Sequence, residues 1–231
     1  MCGIVAAIAE RPVQSILLEG LKRLEYRGYD SAGLATLAGG HIQRTRAQGK
    51  VAKLESLLRD STANQGIAHT RWATHGVPSI KNAHPHQSGR FAVVHNGIIE
   101  NYESLRSELT DFGYTFDSDT DTETIAHLLH SVSQTHDSFD AVVTAAIKRL
   151  EGAFALAILD QETPGVLWVA RQGSPLVIGV GHGEHFVGSD QLALLHVTDR
   201  FIFLDEGDSA KLRSHTLEIY DGDHQLVNRP L

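Results

Sequence analysis

The residue best suited to chemistry is Cys2, the only cysteine among the 231 residues of the chain. It follows Met1 directly, so removal of Met1 would leave a thiol and a free α-amine on the same terminal residue. That residue would then carry a nucleophile and its own general base, since a free α-amine can activate a nucleophile of this kind. The alternative is a thiol at the head of a buried strand, because free cysteine is also a good small hydrophobe.

Donors for a developing negative charge are predicted at Asn96 and Gly97, which follow a predicted strand that begins at Phe91. The Asn96 side-chain amide and the Gly97 backbone N–H could both point at one oxyanion. Loss of one such donor typically lowers a rate by about 10²–10³. The alternative is a plain tight turn, because Asn-Gly after a strand is also the commonest turn dipeptide.

Two charged residues have the chemistry to hold the ends of an amino acid. The planar guanidinium of Arg71 can bind a carboxylate through two parallel hydrogen bonds, and Trp72 beside it could form a wall or lid. Asp121 falls in the first turn of a predicted helix, where the helix dipole keeps an acid ionised and able to hold an ammonium. The alternatives are an ordinary ion pair, a core tryptophan and a plain helix-start acid.

Predicted strands and helices, which must position these residues, alternate irregularly along the chain. Residues 2–9 form a continuous apolar run typical of a strand buried on both faces. Asn101 can cap one helix, and Thr120 to Glu123 has the form of a capping box at the start of another. After Gly152 the chain turns to short strands at close spacing. This pattern favours an α+β fold with packed sheets over a doubly wound parallel sheet, and no linker divides residues 1–231, so a single domain is expected.

Composition excludes several classes of protein. The net charge of −8 offers no surface for nucleic acid, and no apolar stretch approaches the length of about 18 residues that a membrane span needs. One cysteine allows no internal disulfide, and the N-terminus lacks a signal peptide, so a cytoplasmic location is expected. Fourteen histidines occur without a His-Glu-x-x-His pattern or partner cysteines, so neither a metal nor a cofactor is predicted.

Eight segments of the chain together resemble the glutaminase domain of the glucosamine-6-phosphate synthases, a branch of the class II glutamine amidotransferases. They are Cys2 to Val5, Leu24 to Gly33, His69 to Gly76, Asn82 to His86, Val93 to Asn101, Thr120 to Glu123, Gly173 to Gly179 and Ser189 to Leu195. They span nearly the whole chain in the expected order. The stretches around Tyr26 to Asp30 and Trp72 to Gly76 favour this branch over the amidophosphoribosyltransferases and asparagine synthetases.

The resemblance implies an α+β fold of the N-terminal nucleophile hydrolase type, a four-layer α-β-β-α sandwich. It implies that Cys2 is the nucleophile and that Asn96 and Gly97 form the oxyanion hole. Arg71 is then expected to hold the α-carboxylate of glutamine, and Asp121 its α-amine.

The resemblance also extends the set of binding residues. Thr74 and His75 are expected to add contacts to the substrate, and Arg27 is expected near the Cys2 amine. Trp72 is expected to gate the exit of ammonia. His84 is expected to contribute from a mobile neighbouring loop.

The implied reaction is hydrolysis of L-glutamine to L-glutamate and ammonia through a γ-glutamyl thioester on Cys2. The ammonia is expected to serve the conversion of fructose 6-phosphate to glucosamine 6-phosphate in a full enzyme, by a sugar isomerase domain that this chain lacks. Three alternatives stay open. They are a non-catalytic glutamine-binding module that retains Met1, the glutaminase domain of another class II amidotransferase, and an N-terminal cysteine amidase for a different amide.

Overall fold

The computed structural model describes residues 2–72 and 77–231 of the chain. In these ranges fourteen strands form two sheets of seven. The strands are β1 Gly3–Ala9, β2 Ser31–Ala38, β3 His41–Gln48, β4 Gln65–Arg71, β5 His86–Ser88, β6 Phe91–Ile99, β7 Gly152–Asp160, β8 Leu167–Gln172, β9 Val177–Val180, β10 Glu184–Gly188, β11 Phe201–Phe203, β12 Ser209–Leu212, β13 Leu217–Tyr220 and β14 Leu226–Val227.

The first sheet has the order β11-β9-β10-β1-β4-β2-β3, and the second sheet has the order β14-β13-β12-β8-β7-β6-β5. Neighbouring strands within each sheet pair antiparallel. Strand β1 is therefore central in the first sheet, with β4 at one side and β10 at the other. Strand β6 lies near one edge of the second sheet, between β5 and β7.

Five α-helices occur in the described ranges. They are α1 Gln14–Leu24, α2 Val51–Glu55, α3 Tyr102–Asp111, α4 Asp121–Val132 and α5 Phe139–Ile147. Single 3-10 turns cover Glu25–Arg27, Ile80–Asn82 and Gln191–Ala193. Helix α1 forms because its apolar residues recur on one face, and Leu17, Leu21 and Leu24 are all fully buried there.

Alternation along the strands builds the layers, because successive side chains of a strand point to opposite faces. In β1, Ile4 and Ala6 pack between the two sheets, whereas Val5 and Ala7 pack under α1. Helices α1 and α2 cover the outer face of the first sheet, and α3 to α5 cover the outer face of the second. The four layers are helix, sheet, sheet and helix, as predicted.

Two local predictions are wrong. Strand β6 does not stop before Asn96 but continues to Ile99, so Asn96 and Gly97 lie inside a strand and form no turn. The capping box at Thr120 does not form either. The Glu123 carboxylate instead accepts hydrogen bonds from the backbone N–H groups of Asp117 and Ser118.

Helix ends differ from the predicted ones by a few residues. The apolar pattern predicts helices over residues 51–59 and 139–150, whereas α2 ends at Glu55 and α5 at Ile147. Asn101 does hold the N-cap position of α3, but its side chain makes no cap. It bonds instead to the backbone of Arg149 and Glu151. In residues 2–72 and 77–231 no helix is long and apolar enough to cross a membrane.

Candidate active site

Most of the residues selected from the sequence line one cavity. Its lining consists of Cys2, Arg71, Trp72, His84, His95, Gly97, Thr120, Asp121 and Thr122. It opens where β1 begins, β4 ends, β6 runs across and α4 starts.

Cys2 precedes β1 and is half-buried. Its thiol donates to the carbonyl oxygen of Trp72 at 3.4 Å, and its sulfur accepts from the Trp72 N–H at 3.2 Å. Burial raises the pKa of this thiol, and the Trp72 N–H offsets only part of that rise. The thiol is therefore neutral near pH 7, so a nucleophilic role at Cys2 requires a base.

Asn96 and Gly97 face Cys2 from β6. The side-chain Nδ2 of Asn96 donates to the Cys2 carbonyl oxygen at 3.2 Å. Gly97 has a φ of +129°, and a Cβ there would lie 2.0 Å from the carbonyl oxygen of Ala153 on β7. Only glycine fits this position, because any side chain would collide with backbone and strain the left-handed conformation.

Arg71 is the last residue of β4, and its side chain is almost entirely buried. Its Nη1 lies 3.7 Å from Oδ1 of Asp30, and its backbone oxygen accepts from the Asp30 N–H at 2.7 Å. The Ser31 hydroxyl also donates to Asp30 Oδ1 at 2.9 Å. The guanidinium of Arg71 thus lies next to the Asp30 carboxylate and also lines the cavity.

Asp121 begins α4, and its carboxylate is buried beside the cavity. One oxygen, Oδ2, accepts from the Ile99 N–H at 2.9 Å and lies 3.8 Å from Nδ1 of His95. The same His95 nitrogen is 3.0 Å from the hydroxyl of Thr122. The start of α4 is therefore tied to β6, which sets the distance between Asp121 and Gly97.

His84 is buried, and its loop is fastened to the first sheet. The Arg46 guanidinium donates to the carbonyl oxygens of Lys81 at 3.2 Å and Ala83 at 3.0 Å. Gly33 on β2 has no room for a side chain, because a Cβ there would lie 1.9 Å from the His84 carbonyl oxygen. These contacts hold the loop against β2 and β3, and its mobility stays a prediction.

Trp72 forms a half-exposed wall of the cavity, with 52% of its surface exposed. A Cβ on Gly28 would lie 2.5 Å from its indole ring, so the ring packs directly on the Gly28 backbone. Gly28 has a φ of +92°. The glycine thus allows both the turn after residues 25–27 and the close approach of the indole.

Arg27 is not brought into this cavity. Its Nη2 pairs with Asp190 at 2.9 Å, and it lines a neighbouring pocket with Pro175 and Phe203. Thr74 and His75 lie outside the described residues. Among the residues that are described, no group of three His, Cys, Asp or Glu side chains has the geometry to hold a metal ion.

Several residues around the cavity received no role from the sequence. They are Asp30, His69, His95, Thr120 and Thr122. A signal existed for His69, which lies two positions before Arg71 on a strand, so the two side chains share a face. For Asp30 and Thr122 the contacts depend on how separate elements meet.

The assembled groups can act on an amide of an amino acid. A buried arginine and a buried aspartate supply opposite charges for its carboxylate and ammonium. A thiol lies next to an amide donor and a glycine in a strand, which suits attack on a carbonyl carbon with stabilisation of the resulting oxyanion.

Comparison with protein families gives one match over more than half of the chain. The family model described as "Glutamine amidotransferase domain" matches residues 69–196. The stretch contains Arg71, Asn96, Gly97 and Asp121, whereas Cys2 precedes it.

Curated relatives extend the similarity to the whole chain. Glutamine–fructose-6-phosphate aminotransferase (isomerizing) of Pseudomonas putida is 57% identical over 99% of this chain. The protein of the same name from Haemophilus influenzae is 56% identical over 100% of it. The chain spans 38% of the length of each of these relatives.

Solved structures share the fold at lower identity. Glutamine phosphoribosylpyrophosphate amidotransferase of Bacillus subtilis superposes with a TM-score of 0.82 at 23% identity, over 97% of this chain and 50% of that one. A glutamine aminotransferase class-II domain protein of Silicibacter pomeroyi gives 0.64 at 19% identity, over 95% and 99%. These likenesses confirm the predicted fold, a four-layer α+β sandwich.

Proposed function

The chain belongs to the family of glutamine amidotransferase domains, and we propose that it hydrolyses L-glutamine to L-glutamate and ammonia with Cys2 as the nucleophile. One observation carries the assignment of the residues. A thiol, a buried arginine, a buried aspartate and the glycine next to an amide donor line one cavity.

The first half of the proposed reaction forms a thioester. Once Met1 is removed, the α-amine of Cys2 takes the thiol proton, and the sulfur attacks the γ-amide carbon of glutamine. The carbonyl oxygen becomes an oxyanion that Asn96 Nδ2 and the Gly97 N–H stabilise. The tetrahedral intermediate then breaks its C–N bond, and the leaving group departs as ammonia after it receives the proton from the α-amine.

The second half regenerates the enzyme. A water molecule gives a proton to the α-amine and attacks the thioester carbon, and a second oxyanion forms against the same donors. Collapse breaks the C–S bond, the sulfur takes back the proton and glutamate leaves. Because burial raises the pKa of the Cys2 thiol, the attack in the first half needs the amine base, and the sulfur leaves in its protonated form in the second half.

Substrate recognition is assigned to both charged residues of the cavity. Arg71 binds the α-carboxylate, and Asp121 binds the α-ammonium. Trp72 forms the wall of the site and controls the exit of ammonia, and His84 contributes from its fastened loop. Thr74 and His75 keep their predicted roles as further contacts to test by mutation, whereas Arg27, which pairs with Asp190 outside the cavity, is given no contact to the substrate.

A wider proposal concerns a longer protein in which this chain is one domain. The P. putida relative is named for amino transfer to fructose 6-phosphate and has this chain's match in 38% of its length. We therefore propose that residues 1–231 act as one glutaminase domain in the cytoplasm. The ammonia passes to a sugar isomerase domain, which makes glucosamine 6-phosphate.

The direct test measures glutamate released from glutamine by protein made with a removable leader peptide. The leader keeps the nitrogen of Cys2 in an amide, and its removal by a site-specific protease frees the amine, as mass spectrometry verifies. We expect turnover only after removal, and none from Cys2→Ala processed in the same way, although Cys2→Ala should still bind glutamine. Equal turnover before and after removal would refute the amine base, and turnover by Cys2→Ala would refute the nucleophile.

A further inference from the structure

His69 contacts Asn96, one of the two candidate oxyanion donors, and is fully buried between the two sheets. It belongs to β4, where it pairs with Ile4 of β1. Its Nε2 is 2.9 Å from the side-chain oxygen Oδ1 of Asn96 and 3.1 Å from the carbonyl oxygen of His95. One ring nitrogen therefore faces two oxygen atoms of β6.

These two contacts determine where the His69 ring carries its proton. A backbone carbonyl oxygen can only accept a hydrogen bond, so the Nε2 that faces the His95 oxygen must carry the hydrogen. The opposite tautomer would put a lone pair against that oxygen and leave an N–H on Nδ1. Nδ1 is buried and has no hydrogen-bond partner in the described part of the chain.

The proton on Nε2 in turn determines the orientation of the Asn96 amide. Oxygen and nitrogen of an amide side chain are distinguished only by their partners. Because Nε2 donates, the Asn96 atom next to it must be the acceptor Oδ1. The NH₂ group then faces Cys2, where it donates to the backbone oxygen at 3.2 Å.

The His69 ring is itself held in place. The ring of His84 stacks on it with centroids 4.1 Å apart and an interplanar angle of 28°. Burial lowers the pKa of His69 to about 3, so the ring stays neutral at any pH at which the protein works. A neutral ring with one proton keeps a single donor, which Asn96 Oδ1 and the His95 carbonyl oxygen share.

We propose that His69 is a positioning residue that holds the Asn96 amide with its NH₂ group toward the reacting carbonyl and so sets one donor of the oxyanion hole. The inference rests on the proposed function, because it assumes that Asn96 stabilises the oxyanion. His69 touches neither substrate nor Cys2 in this role. It acts through Asn96.

The first test compares two substitutions at this position in glutaminase assays. His69→Phe keeps a flat ring for stacking on His84 but removes the donor, whereas His69→Gln can place an N–H near the position of Nε2. We expect His69→Phe to lower kcat about 10²-fold, as loss of an oxyanion donor does, with KM nearly unchanged. His69→Gln should restore most of the loss. A His69→Phe enzyme with normal kcat, or a His69→Gln enzyme as slow as His69→Phe, would overturn the proposal.

The second test is a double-mutant cycle with Asn96→Ala. When two residues act as one unit, removing both lowers kcat no more than removing one of them. If His69 acts through Asn96, His69→Phe causes little further loss of kcat in the Asn96→Ala background. Losses that multiply would show that His69 affects the protein in some other way and would refute the role. The rate of Cys2 alkylation by iodoacetamide, which forms no oxyanion, should be the same in all four proteins.

A third measurement needs no variant and decides the matter if His69→Phe does not unfold cooperatively. Nitrogen-15 NMR of the wild-type chain at neutral pH reports which ring nitrogen of His69 is protonated. The proposal requires the Nε2–H tautomer, and an Nδ1–H tautomer would exclude it. Failure of the proposed function is distinct, since the wild-type chain with a free Cys2 amine would then release no glutamate at all.

Discussion

At Arg71 the geometry of the guanidinium matters as much as its charge. The group is buried, and its Nη1 lies 3.7 Å from Asp30 while the side chain also lines the cavity. A planar fork can face a fixed acid on one edge and a substrate carboxylate on another. The ammonium of a lysine is a single point and can serve only one of these partners well.

We therefore expect Arg71→Lys to raise KM for glutamine roughly 10- to 100-fold, as loss of a charge-assisted hydrogen bond of about 1.5–3 kcal/mol would. The value of kcat should fall less, because the substitution removes binding that ground state and transition state share. Steady-state glutaminase kinetics measure both. The matched control is Arg23→Lys, an exposed arginine paired with Glu19, which should leave KM unaltered. An unchanged KM in Arg71→Lys would contradict the carboxylate-binding role.

Gly97 offers a second test at the residue scale, because collision and conformation can be separated there. In Gly97→Ala the new Cβ meets the Ala153 carbonyl oxygen at 2.0 Å, in addition to the strain of a φ of +129°. Gly113 also has a positive φ, +90°, but a Cβ there meets nothing within 4 Å. Gly113→Ala thus measures the conformational cost alone, about 1–2 kcal/mol.

We expect Gly97→Ala to destabilise the chain clearly more than Gly113→Ala, and to lower kcat at least about 10²-fold because relief of the collision with β7 displaces the Gly97 N–H. Urea unfolding gives the two free energies, and glutamate release gives kcat. Equal destabilisation by both substitutions would mean that the approach of β7 to Gly97 is not close. Normal kcat in folded Gly97→Ala would remove Gly97 from the oxyanion hole.

At the scale of elements, the loop with His84 depends on β2 and β3. Gly33 lets the loop backbone lie on the sheet, and Arg46 holds it through two carbonyl oxygens. Burial lowers the pKa of Arg46 to about 10, which still leaves the guanidinium charged at neutral pH. At neutral pH Arg46 therefore holds the loop that places His84 at the cavity.

We expect Arg46→Met, which keeps the apolar stem and removes the donors, to release this loop without unfolding the sheets. Unpaired carbonyl groups should cost about 1–3 kcal/mol, and backbone amides of residues 80–86 should exchange hydrogen faster. Native-state hydrogen exchange by mass spectrometry measures this directly. Arg23→Met serves as the control, since Arg23 is exposed on α1. If both variants exchange alike in residues 80–86, Arg46 does not hold the loop.

The sequence predicts a strand well where apolar residues occupy both of its faces. The run predicted as a strand over residues 2–9 forms β1, and short strands do follow Gly152, because burial on both faces leaves a continuous apolar run. The location of the chemistry also followed from residue types, since Cys2, Arg71 and Asp121 do line one cavity. Their individual roles stay predictions for mutation to test.

The failures concern contacts between elements that are distant in the chain. Asn96-Gly97 has the local preference of a turn, but β7 pairs with β6 as far as Ile99 and keeps the segment extended. Glu123 accepts hydrogen bonds from the N–H groups of residues 117 and 118 and forms no capping box. His69 meets Asn96 only because two sheets stack face to face, which no local pattern reports.

At the scale of the whole molecule, burial of histidines links the fold to pH. Among the histidines in residues 2–72 and 77–231, six have a pKa lowered by burial. They are His69, His84, His86, His130, His185 and His196. In the unfolded chain each would bind a proton near pH 6.5, whereas the folded chain resists that proton until lower pH. The unfolded state therefore binds more protons in this window, and folding weakens as the pH falls.

We expect the free energy of unfolding to fall as the pH is lowered from about 6.5 towards 5, with each fully neutral buried histidine contributing a slope that approaches about 1.4 kcal/mol per pH unit. His84→Gln should reduce the slope by up to one proton, because His84 is buried and its pKa lies well below the usual value. The control is His41→Gln on exposed strand β3, which should leave the slope as in the wild type. Urea unfolding between pH 7.5 and 5 measures all three proteins. A wild-type stability that is flat over this range would contradict the neutral state of the buried histidines, and an unchanged slope in His84→Gln would contradict it for His84.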